Sequence, residues 1–271
     1  MGLLIIDDEQ RFGVAQKEKL RKLRASLDVL SLSATPIPRT LYLALSSLKE
    51  ISSIQTAPPG RLPIETHVLP WNENIIKKVI IKELARKGQI YYLHNRVKTI
   101  SSPKKLLERL VPGAKIALAH GKLPERQLIE IMEKFREGKI DILVATTIIE
   151  NGLDLENANT LIVEDATKLG LAQAHQIRGR VGRSYKKAVA YFFYQPPLSE
   201  SAQKRLEALQ EATELGSGYR LALRDMELRG AGNILGKEQT GRINQVGLNL
   251  YCQMLADAIE KLKKENKTKT C

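Results

Sequence analysis

Short apolar runs alternate along most of the chain with longer amphipathic segments, and this alternation restricts the fold more than any other feature of the sequence. The apolar runs have the length of buried strands, and the longer segments have the apolar spacing of helices. Strands and helices that alternate in this way form a parallel sheet covered by helices, so we predict the α/β class. The main series of predicted strands is Ile64–Leu69, Ile90–Leu93, Lys115–Leu118, Ile140–Val144, Thr160–Val163 and Ala188–Tyr194.

Helices are predicted between these strands and on either side of the series. Those within it are Glu73–Lys87, Pro103–Leu110, Pro124–Glu137 and Leu171–Arg178. Before it come the strands Leu3–Ile6 and Val29–Leu32 with the helices Gln16–Arg24 and Arg39–Leu48. After it come only helices, at Ser199–Glu214, Tyr219–Leu228 and Leu248–Lys264.

The stretch Ala57–Pro63 divides the first series from the second, because its prolines and glycine interrupt regular structure. A second break falls at Pro196-Pro197, where strands cease and only helical patterns follow. The sequence therefore predicts three regions, residues 1–62, 63–195 and 196–271.

The chain is strongly basic, with 43 lysines and arginines against 30 aspartates and glutamates and a formal net charge of +13. Such an excess favours a polyanionic partner, and nucleic acid is the common one. We expect no membrane partner, because no segment is apolar over the roughly 20 residues that a spanning helix needs. Cys252 and Cys271 lack the spacing of a metal site or disulfide framework, and no signal peptide is recognisable, so we expect a cytoplasmic location.

The stretch Gln176-Ile-Arg-Gly-Arg-Val-Gly-Arg183 combines arginines and glycines at the end of a predicted helix. Arg180 and Arg183 carry planar guanidinium groups that stay charged and match phosphate oxygens. Gly179 and Gly182 lack the side chains that would hold a phosphate away. The stretch predicts a phosphate site, and the alternative from these residues alone is a solvated basic loop.

Acidic residues follow the first predicted strand directly, in Asp7-Asp-Glu-Gln10. Open α/β sheets bind their ligands at the carboxyl ends of strands. An aspartate there is suited to hold Mg²⁺ on a nucleotide, and a second carboxylate is suited to orient the attacking water. The alternative is an acidic helix N-terminus.

Together these stretches resemble the sequence motifs of the superfamily 2 helicases and translocases. The matches are Asp7–Gln10 to motif II, Ser33–Thr35 to motif III, Leu93–Val97 to motif IV, Ala145–Asp154 to motif V and Gln176–Arg183 to motif VI. The resemblance implies RecA-like parallel-sheet domains, the first partial and the second complete. It also implies ATP and Mg²⁺ as cofactors, bound between the two domains.

The same resemblance implies roles for individual residues. The catalytic residues would be Asp7, Asp8, Arg180 and Arg183, with Asp7 holding Mg²⁺ through ATP. The ATP-binding residues would be Gln176, Gly152 and Asp154. The DNA-binding residues would be His94, Asn95, Arg96, His120, Gly121, Thr146 and Thr147. The two histidines have no cysteine or carboxylate partners at metal-ligand spacing, so zinc is not predicted.

The last region resembles the translocation motif that RecG shares with the transcription-repair coupling factors, an α-helical hairpin followed by a glycine-rich loop. The hairpin matches Glu200–Glu214 and Tyr219–Leu228, and the loop matches Leu228–Gly241. The resemblance implies that Arg205, Arg229 and Gln239, with Ser33 and Thr35 of motif III, couple ATP hydrolysis to movement along DNA. The loop and Val246–Leu255 are more similar to the coupling factors than to RecG.

The resemblance therefore implies part of an ATP-dependent double-stranded DNA translocase of transcription-coupled DNA repair. Duplex DNA is the expected partner, whereas RNA polymerase and excision-repair proteins are expected to bind only regions outside this sequence. Three alternatives stay open: a fragment of a RecG-type branch-migration helicase, a DNA-binding module that hydrolyses no ATP, and an interaction partner that supplies its arginines in trans to another protein's nucleotide.

Two features of the sequence bear on hydrolysis. Asp8 stands where the family has a glutamate, and misplacing a catalytic group by about 1 Å can lower a rate on the order of 100-fold. No stretch has the form Gly-x-x-x-x-Gly-Lys-[Ser/Thr] that cradles nucleotide phosphates. We therefore expect that loop in a first motor half that this sequence does not contain.

Overall fold

The structure is a computed structural model that describes residues 2–7, 27–33, 62–147, 157–182 and 186–212, together with residues 52, 54, 56, 217, 218, 220, 221, 224, 225, 254 and 261. The chain divides into two compact units, one of Ile54–Ser217 and the other of Met1–Ser53 with Gly218–Cys271. The elements predicted at Gln16–Arg24, Arg39–Leu48, Ala57–Pro63, Tyr219–Leu228 and Leu248–Lys264 lie wholly or mostly outside the described residues.

In the unit that contains the N-terminus, the structure describes a pair of parallel strands. These are β1 (Leu3–Asp7) and β2 (Asp28–Leu32), which pair from Leu3 opposite Asp28 to Asp7 opposite Leu32. Both strands were predicted, and each predicted strand is one residue shorter than the observed strand. Because parallel strands end at the same edge, Asp7, which lies opposite Leu32, and Ser33, which follows β2 directly, both lie at the sheet edge where ligand residues were expected.

The unit Ile54–Ser217, called the sheet unit below, contains six strands and five helices among its described residues. The strands are β3 (Glu65–Pro70), β4 (Gln89–Leu93), β5 (Ile116–Ala119), β6 (Ile142–Ala145), β7 (Ala158–Val163) and β8 (Val189–Tyr194). The helices are α1 (Glu73–Ala85), α2 (Ser101–Leu110), α3 (Glu125–Arg136), α4 (Leu171–Arg178) and α5 (Glu200–Glu211). Short 3₁₀ turns lie at Val97–Thr99 and Ala166–Lys168.

All six strands form one parallel sheet in the order β3-β8-β7-β4-β6-β5. Every residue of β4, β6 and β7 is buried. Central strands of a parallel sheet are covered by helices on both faces, which is why their sequences are apolar without alternation. The predicted α/β class is confirmed.

The main core lies between the sheet and the helices α1 and α2. Ile76 and Ile80 of α1 and Leu107 of α2 are fully buried against strand residues such as Tyr92 and Val144. Each such side chain contributes roughly 1.5–3 kcal/mol by leaving water. This core holds the sheet rigid, so the loops at its carboxyl edge start from fixed points.

Local chemistry explains where the helices begin and end. Asn72 caps α1 by accepting hydrogen bonds from the backbone N–H groups of Asn74 at 2.9 Å and Ile75 at 3.2 Å. The helix stops at Ala85, two residues before the predicted end, because Lys87 has a left-handed φ of 56°. Helix α3 begins after Pro124 and ends before Gly138, one residue inside each predicted limit.

Helix α5 packs within the sheet unit although it was predicted to open the third region. Ser199 caps it by accepting a hydrogen bond from the backbone N–H of Ala202 at 3.2 Å. Ala202, Leu206 and Leu209 are buried, and the helix contacts α4 and β3. The predicted limits at residues 62 and 195 stay predictions.

Gly182 is a position where the fold itself requires glycine. Its φ is +70°, and a Cβ there would lie 2.6 Å from the Cβ of Ala188 and 3.3 Å from Cγ1 of Ile64. Its N–H donates to the carbonyl of Ala158 at 3.3 Å. Close packing against these segments therefore accounts for this glycine in the arginine motif, and the access that it would give a phosphate stays a prediction.

We predict that Gly182→Ala destabilises the protein more than Gly138→Ala. Both glycines have positive φ, for which an L-residue costs roughly 1–2 kcal/mol, but a Cβ at Gly138 meets no atom within 4 Å. At Gly182 the clash with Ala188 adds an overpacking cost of roughly 1–3 kcal/mol. Urea unfolding followed by circular dichroism measures both losses, and equal losses would contradict the packing requirement.

Candidate functional site

Three groups of predicted DNA-binding residues follow three adjacent strands of the sheet unit. The backbone N–H of His94, just after β4, donates to the carbonyl of Ala145 in β6 at 2.9 Å. The N–H of Thr146, just after β6, donates to the carbonyl of Ala119 in β5 at 3.2 Å. The structure therefore brings His94, Thr146 and the neighbouring His120 to one edge of the sheet, as parallel strand order requires.

The exposed residues of this edge are mostly basic or lack a side chain. Arg96, Lys98, Gly121 and Lys122 are exposed. Cations and backbone N–H groups at an open edge bind phosphate without reading bases. This is the composition expected of a surface that follows a nucleic-acid backbone.

His120 is held by its own turn. Its Nδ1 accepts a hydrogen bond from the backbone N–H of Lys122 at 3.3 Å, and its carbonyl accepts from the N–H of Leu123 at 3.0 Å. Because Nδ1 is the acceptor, the proton of the neutral ring is on Nε2. His120 is therefore suited to donate from Nε2 to a phosphate oxygen.

The residues predicted from motif V differ in exposure. Thr146 is buried at 4% exposure, and its hydroxyl oxygen has no hydrogen-bond partner among the described residues, while its carbonyl accepts from the hydroxyl of Tyr91 at 3.5 Å. Thr147 is half-buried. Of the two hydroxyl groups, that of Thr147 is the better placed to reach a ligand from this edge.

A second set of contacts joins the ends of β4 and β7. Nδ1 of His94 is in a short contact with Oε2 of Glu164, and Nε2 of His94 lies 2.8 Å from Oγ1 of Thr99. Nδ2 of Asn95 donates to the carbonyl of Asp165 at 2.9 Å. Burial and the nearby Glu164 carboxylate raise the pKa of Tyr92 well above its ordinary value, so this buried phenol stays neutral.

The arginine motif begins in α4 and continues into the turn that follows. Gln176 and Arg180 are both half-buried, and the N–H of Arg180 donates to the carbonyl of Ile177 at 3.0 Å. The turn thus continues the last helical hydrogen bonds and fixes the backbone from which Arg180 extends. Both residues keep the ATP-binding and catalytic roles given above as predictions.

Arg178, which the sequence did not single out, is the buried member of the same motif. It is 4% exposed and donates to Oγ1 of Thr66 at 3.2 Å, the carbonyl of Leu209 at 3.1 Å and Nδ1 of His175 at 2.9 Å. Burial lowers the pKa of Arg178 to about 10, so the guanidinium remains charged at neutral pH. One side chain therefore ties α4 to strand β3 and helix α5.

A second arginine links α5 to the segment before α4. Arg205 donates from Nε to the carbonyl of Ser201 at 3.3 Å and from a terminal nitrogen to the carbonyl of Leu169 at 3.4 Å. This residue was predicted to take part in coupling. Its contacts place it against the segment that carries the arginine motif.

The predicted residues of motifs II and III are partly described. Asp7 ends β1 and Ser33 follows β2, and both are exposed. An exposed carboxylate at the end of a strand fits the oxygen chemistry that Mg²⁺ requires. The predicted residues Asp8, Thr35, Gly152, Asp154, Arg183, Arg229 and Gln239 lie outside the described residues.

The described residues contain neither a cluster of metal ligands nor a membrane-spanning helix. In that part of the chain, no three or more His, Cys, Asp or Glu residues are grouped so that they could hold a metal ion. Nor does any described helix have both the length and the apolar character needed to cross a membrane.

The residues that sequence reasoning missed are Glu164, Asp165 and Arg178. The first two come directly after the predicted strand Thr160–Val163, which is the same signal that drew attention to Asp7. Arg178 carries no such signal, because only the folded chain shows that this arginine of the motif points inward.

Known proteins match the chain along nearly its whole length. The helicase conserved C-terminal domain matches residues 72–185. The transcription-repair-coupling factor of Bacillus subtilis (strain 168) is 52% identical over 265 residues, which are 97% of this chain and 22% of that protein. The one from Staphylococcus haemolyticus is 51% identical over 261 residues, 96% of this chain and 22% of that protein. The chain thus spans about a fifth of the length of these curated relatives.

Solved structures match the fold. RecG bound to a three-way DNA junction covers 94% of this chain and 33% of its own, with a TM-score of 0.69 and 32% identity. Dbp5 of S. cerevisiae bound to RNA and ADP BeF3 covers 78% of this chain with a TM-score of 0.54, but at 18% identity it shows likeness of fold alone. The predicted RecA-like α/β fold is confirmed.

We predict that Arg178→Met lowers the free energy of unfolding by roughly 1–3 kcal/mol, since buried acceptors such as the Leu209 carbonyl lose their donor. Lys168→Met is the matched control, because it removes one cation from an exposed position of the neighbouring 3₁₀ turn. Urea denaturation of the three proteins measures the difference. If Arg178→Met is no less stable than Lys168→Met, the buried guanidinium does not hold the helices together.

Proposed function

The chain belongs to the transcription-repair-coupling factor family, in which it is homologous to one segment of the longer proteins. We propose that it forms part of an ATP-dependent double-stranded DNA translocase. In this proposal it supplies the second RecA-like motor domain and the translocation hairpin. The observation that carries the proposal is the common edge of β4, β5 and β6, where the helicase-motif residues of three strands meet beside exposed cations.

The proposed DNA contacts are with the phosphate backbone. Arg96, Lys98 and Lys122 supply charge, while Thr147 and Gly121 supply a hydroxyl and an accessible backbone. Contacts of this kind position a duplex without reading its sequence, which suits a protein that must move along any DNA. RecG was solved on a three-way DNA junction, which agrees with a DNA substrate for its relatives.

The proposed nucleotide chemistry is distributed over the motif residues. Asp7 and Asp8 are the carboxylates for Mg²⁺ and water, and Gln176, Gly152 and Asp154 contribute to ATP binding. Arg180 and Arg183 bind the phosphates, and arginines in this role raise turnover on the order of 10³–10⁵-fold in enzymes that use them. Mg²⁺ bound with ATP would neutralise charge on the phosphates.

The proposed coupling uses helix α5. Arg178 bonds α4 to α5, and Arg205 bonds α5 to Leu169 just before α4, so a displacement of the arginine motif is transmitted to α5. Ser33, Thr35, Arg229 and Gln239 keep their predicted parts in this coupling. This is the step that would convert nucleotide hydrolysis into movement.

The other assignments follow from the family. Transcription-coupled repair is proposed from the names of the relatives, and contacts with RNA polymerase and excision-repair proteins are proposed only for segments of those longer proteins beyond this one. The cytoplasmic location stays a prediction. A RecG-type branch-migration helicase is the second candidate, because RecG shares the fold at 32% identity.

We predict that the chain binds duplex DNA of any sequence and loses affinity as salt rises. The logarithm of the binding constant should fall with the logarithm of salt concentration at a slope of about −0.9 for each phosphate neutralised. Arg96→Ala should make the slope less steep by about 0.9, whereas Lys139→Ala, in the loop at the opposite edge of the sheet, should leave it unchanged. Fluorescence anisotropy titrations at several salt concentrations test this, and salt-insensitive binding would contradict a phosphate surface.

We predict negligible ATP hydrolysis by the chain alone, because its sequence lacks the phosphate-binding loop. Adding the first motor domain of a family member as a separate protein should restore measurable phosphate release in the presence of duplex DNA. Arg180→Ala should abolish the restored activity, since alanine cannot bind phosphate. DNA-stimulated turnover by the chain alone that Arg180→Ala removes would contradict the need for a second domain.

A further inference from the structure

The imidazole of His94 has a protein partner at each ring nitrogen. Nδ1 contacts Oε2 of Glu164, and Nε2 lies 2.8 Å from Oγ1 of Thr99. A carboxylate only accepts hydrogen bonds, so Nδ1 carries a proton and donates it. With both nitrogens engaged, the ring has no polar atom left for a phosphate. We call this arrangement the His94 bridge.

The His94 bridge and the side chain of Asn95 hold the two ends of a short turn. Thr99 lies at the end of the 3₁₀ turn Val97–Thr99, and the next residue, Ile100, is buried in the main core at 3% exposure. At the start of the turn, Asn95 donates to the carbonyl of Asp165 at 2.9 Å. The backbone between these points is thus tied to the end of β7 and to the core.

The charged side chains that this loop exposes are both cations, beside the uncharged and exposed Thr99. Arg96 and Lys98 are exposed, and the carbonyl of Arg96 accepts from the N–H of Thr99 at 3.3 Å. The side chains of His94 and Glu164, in contrast, are 14% and 26% exposed. Within this loop the accessible charge is therefore carried by Arg96 and Lys98.

The negative charge of Glu164 is unfavourable on a DNA-binding edge unless the carboxylate is paired with another group. An unpaired carboxylate there would repel phosphates and weaken binding. Its charge is instead directed at the Nδ1 proton of His94, and its backbone N–H donates to the carbonyl of Leu93 at 3.1 Å. The carboxylate thus fixes the orientation of the ring that holds the turn.

We propose that Glu164 is a positioning residue for DNA binding, which acts through His94 to hold residues 95–99 so that Arg96 and Lys98 face the phosphate backbone. His94 is then a support of the turn and not itself a DNA ligand. The proposal rests on the proposed function, because it assigns the DNA contact to this edge of the sheet.

Glu164→Ala separates this proposal from simple electrostatics. Removing a negative charge beside DNA should strengthen binding if the carboxylate acts only through its charge. Positioning predicts that affinity for a mixed-sequence duplex falls about tenfold, the size of one lost charge-assisted hydrogen bond. Glu164→Gln, which keeps an acceptor for Nδ1, should recover most of the loss. Glu137→Ala, at an exposed carboxylate beyond the opposite edge, is the control and should bind no more weakly than the wild type.

Two isosteric replacements of His94 decide which ring nitrogen matters. Asparagine places its amide nitrogen near the position of Nδ1, and glutamine places its own near Nε2. The bridge needs both ring nitrogens, Nδ1 for Glu164 and Nε2 for Thr99, so it predicts that His94→Asn and His94→Gln both weaken DNA binding. A direct phosphate contact would use Nε2 and predicts that His94→Gln binds better than His94→Asn.

The salt dependence of DNA binding gives an independent test of the proposal. Glu164→Ala should make the salt slope less steep, because displaced Arg96 and Lys98 neutralise fewer phosphates, whereas a carboxylate that acts only through its charge would leave the slope unchanged. Tighter binding by Glu164→Ala, better binding by His94→Gln than by His94→Asn, or an unchanged slope for Glu164→Ala would each overturn the proposal.

A measurement without DNA keeps the bridge testable if the chain does not bind DNA. Long-range proton–nitrogen correlation spectra of the imidazole rings show which nitrogen carries the proton. We expect a protonated Nδ1 on His94 in the wild type and a change of the ring signals in Glu164→Ala. An unprotonated Nδ1 would overturn the bridge, whereas absent duplex binding with a protonated Nδ1 would overturn the proposed function and the positioning of DNA, and leave only the contact itself.

Discussion

The buried guanidinium of Arg178 is the interaction on which the candidate site of the sheet unit depends. A charged group at 4% exposure is stable only where acceptors replace water, and here they come from β3, α4 and α5. The position of α4 is thereby set against two other elements. Because Arg180 extends from the turn after α4, the geometry of the predicted nucleotide-binding motif follows from a structural arginine two residues earlier.

The carboxyl edge of the parallel sheet provides the second constraint. Strand order places the ends of β4, β5 and β6 side by side, so residues far apart in the chain, such as His94, His120 and Thr146, share one surface. The contacts and burial of these three residues at the edge nevertheless differ. His120 accepts a hydrogen bond at Nδ1 and keeps Nε2 as a donor, Thr146 is buried, and His94 is engaged on both sides by Glu164 and Thr99. Residues that the sheet edge brings together therefore need not share one task.

Sequence reasoning located the elements well and their ends less well. Helix α4 was predicted with its observed limits, Leu171–Arg178, because its apolar spacing stops at the glycines of the motif. The end of α1 was placed two residues too late, since a lysine gives no sign of the left-handed φ that Lys87 adopts. Helix α2 begins two residues before the predicted Pro103, because proline is tolerated within the first turn of a helix and does not have to start it.

By itself the sequence determined the α/β class, the six-strand series and the motif positions, because strand and helix periodicities and motif spacings are local properties of the chain. Strand order, and with it the meeting of three loops at one edge, was decided by the packing of distant segments. The direction in which each side chain points was likewise decided by the packing of distant segments. Arg178 and Arg180 are equivalent in the linear motif, yet one is buried and bonded to α5 while the other remains half-exposed. Only the folded chain makes that distinction, since burial depends on residues such as Thr66 and Leu209 that lie far from the motif in sequence.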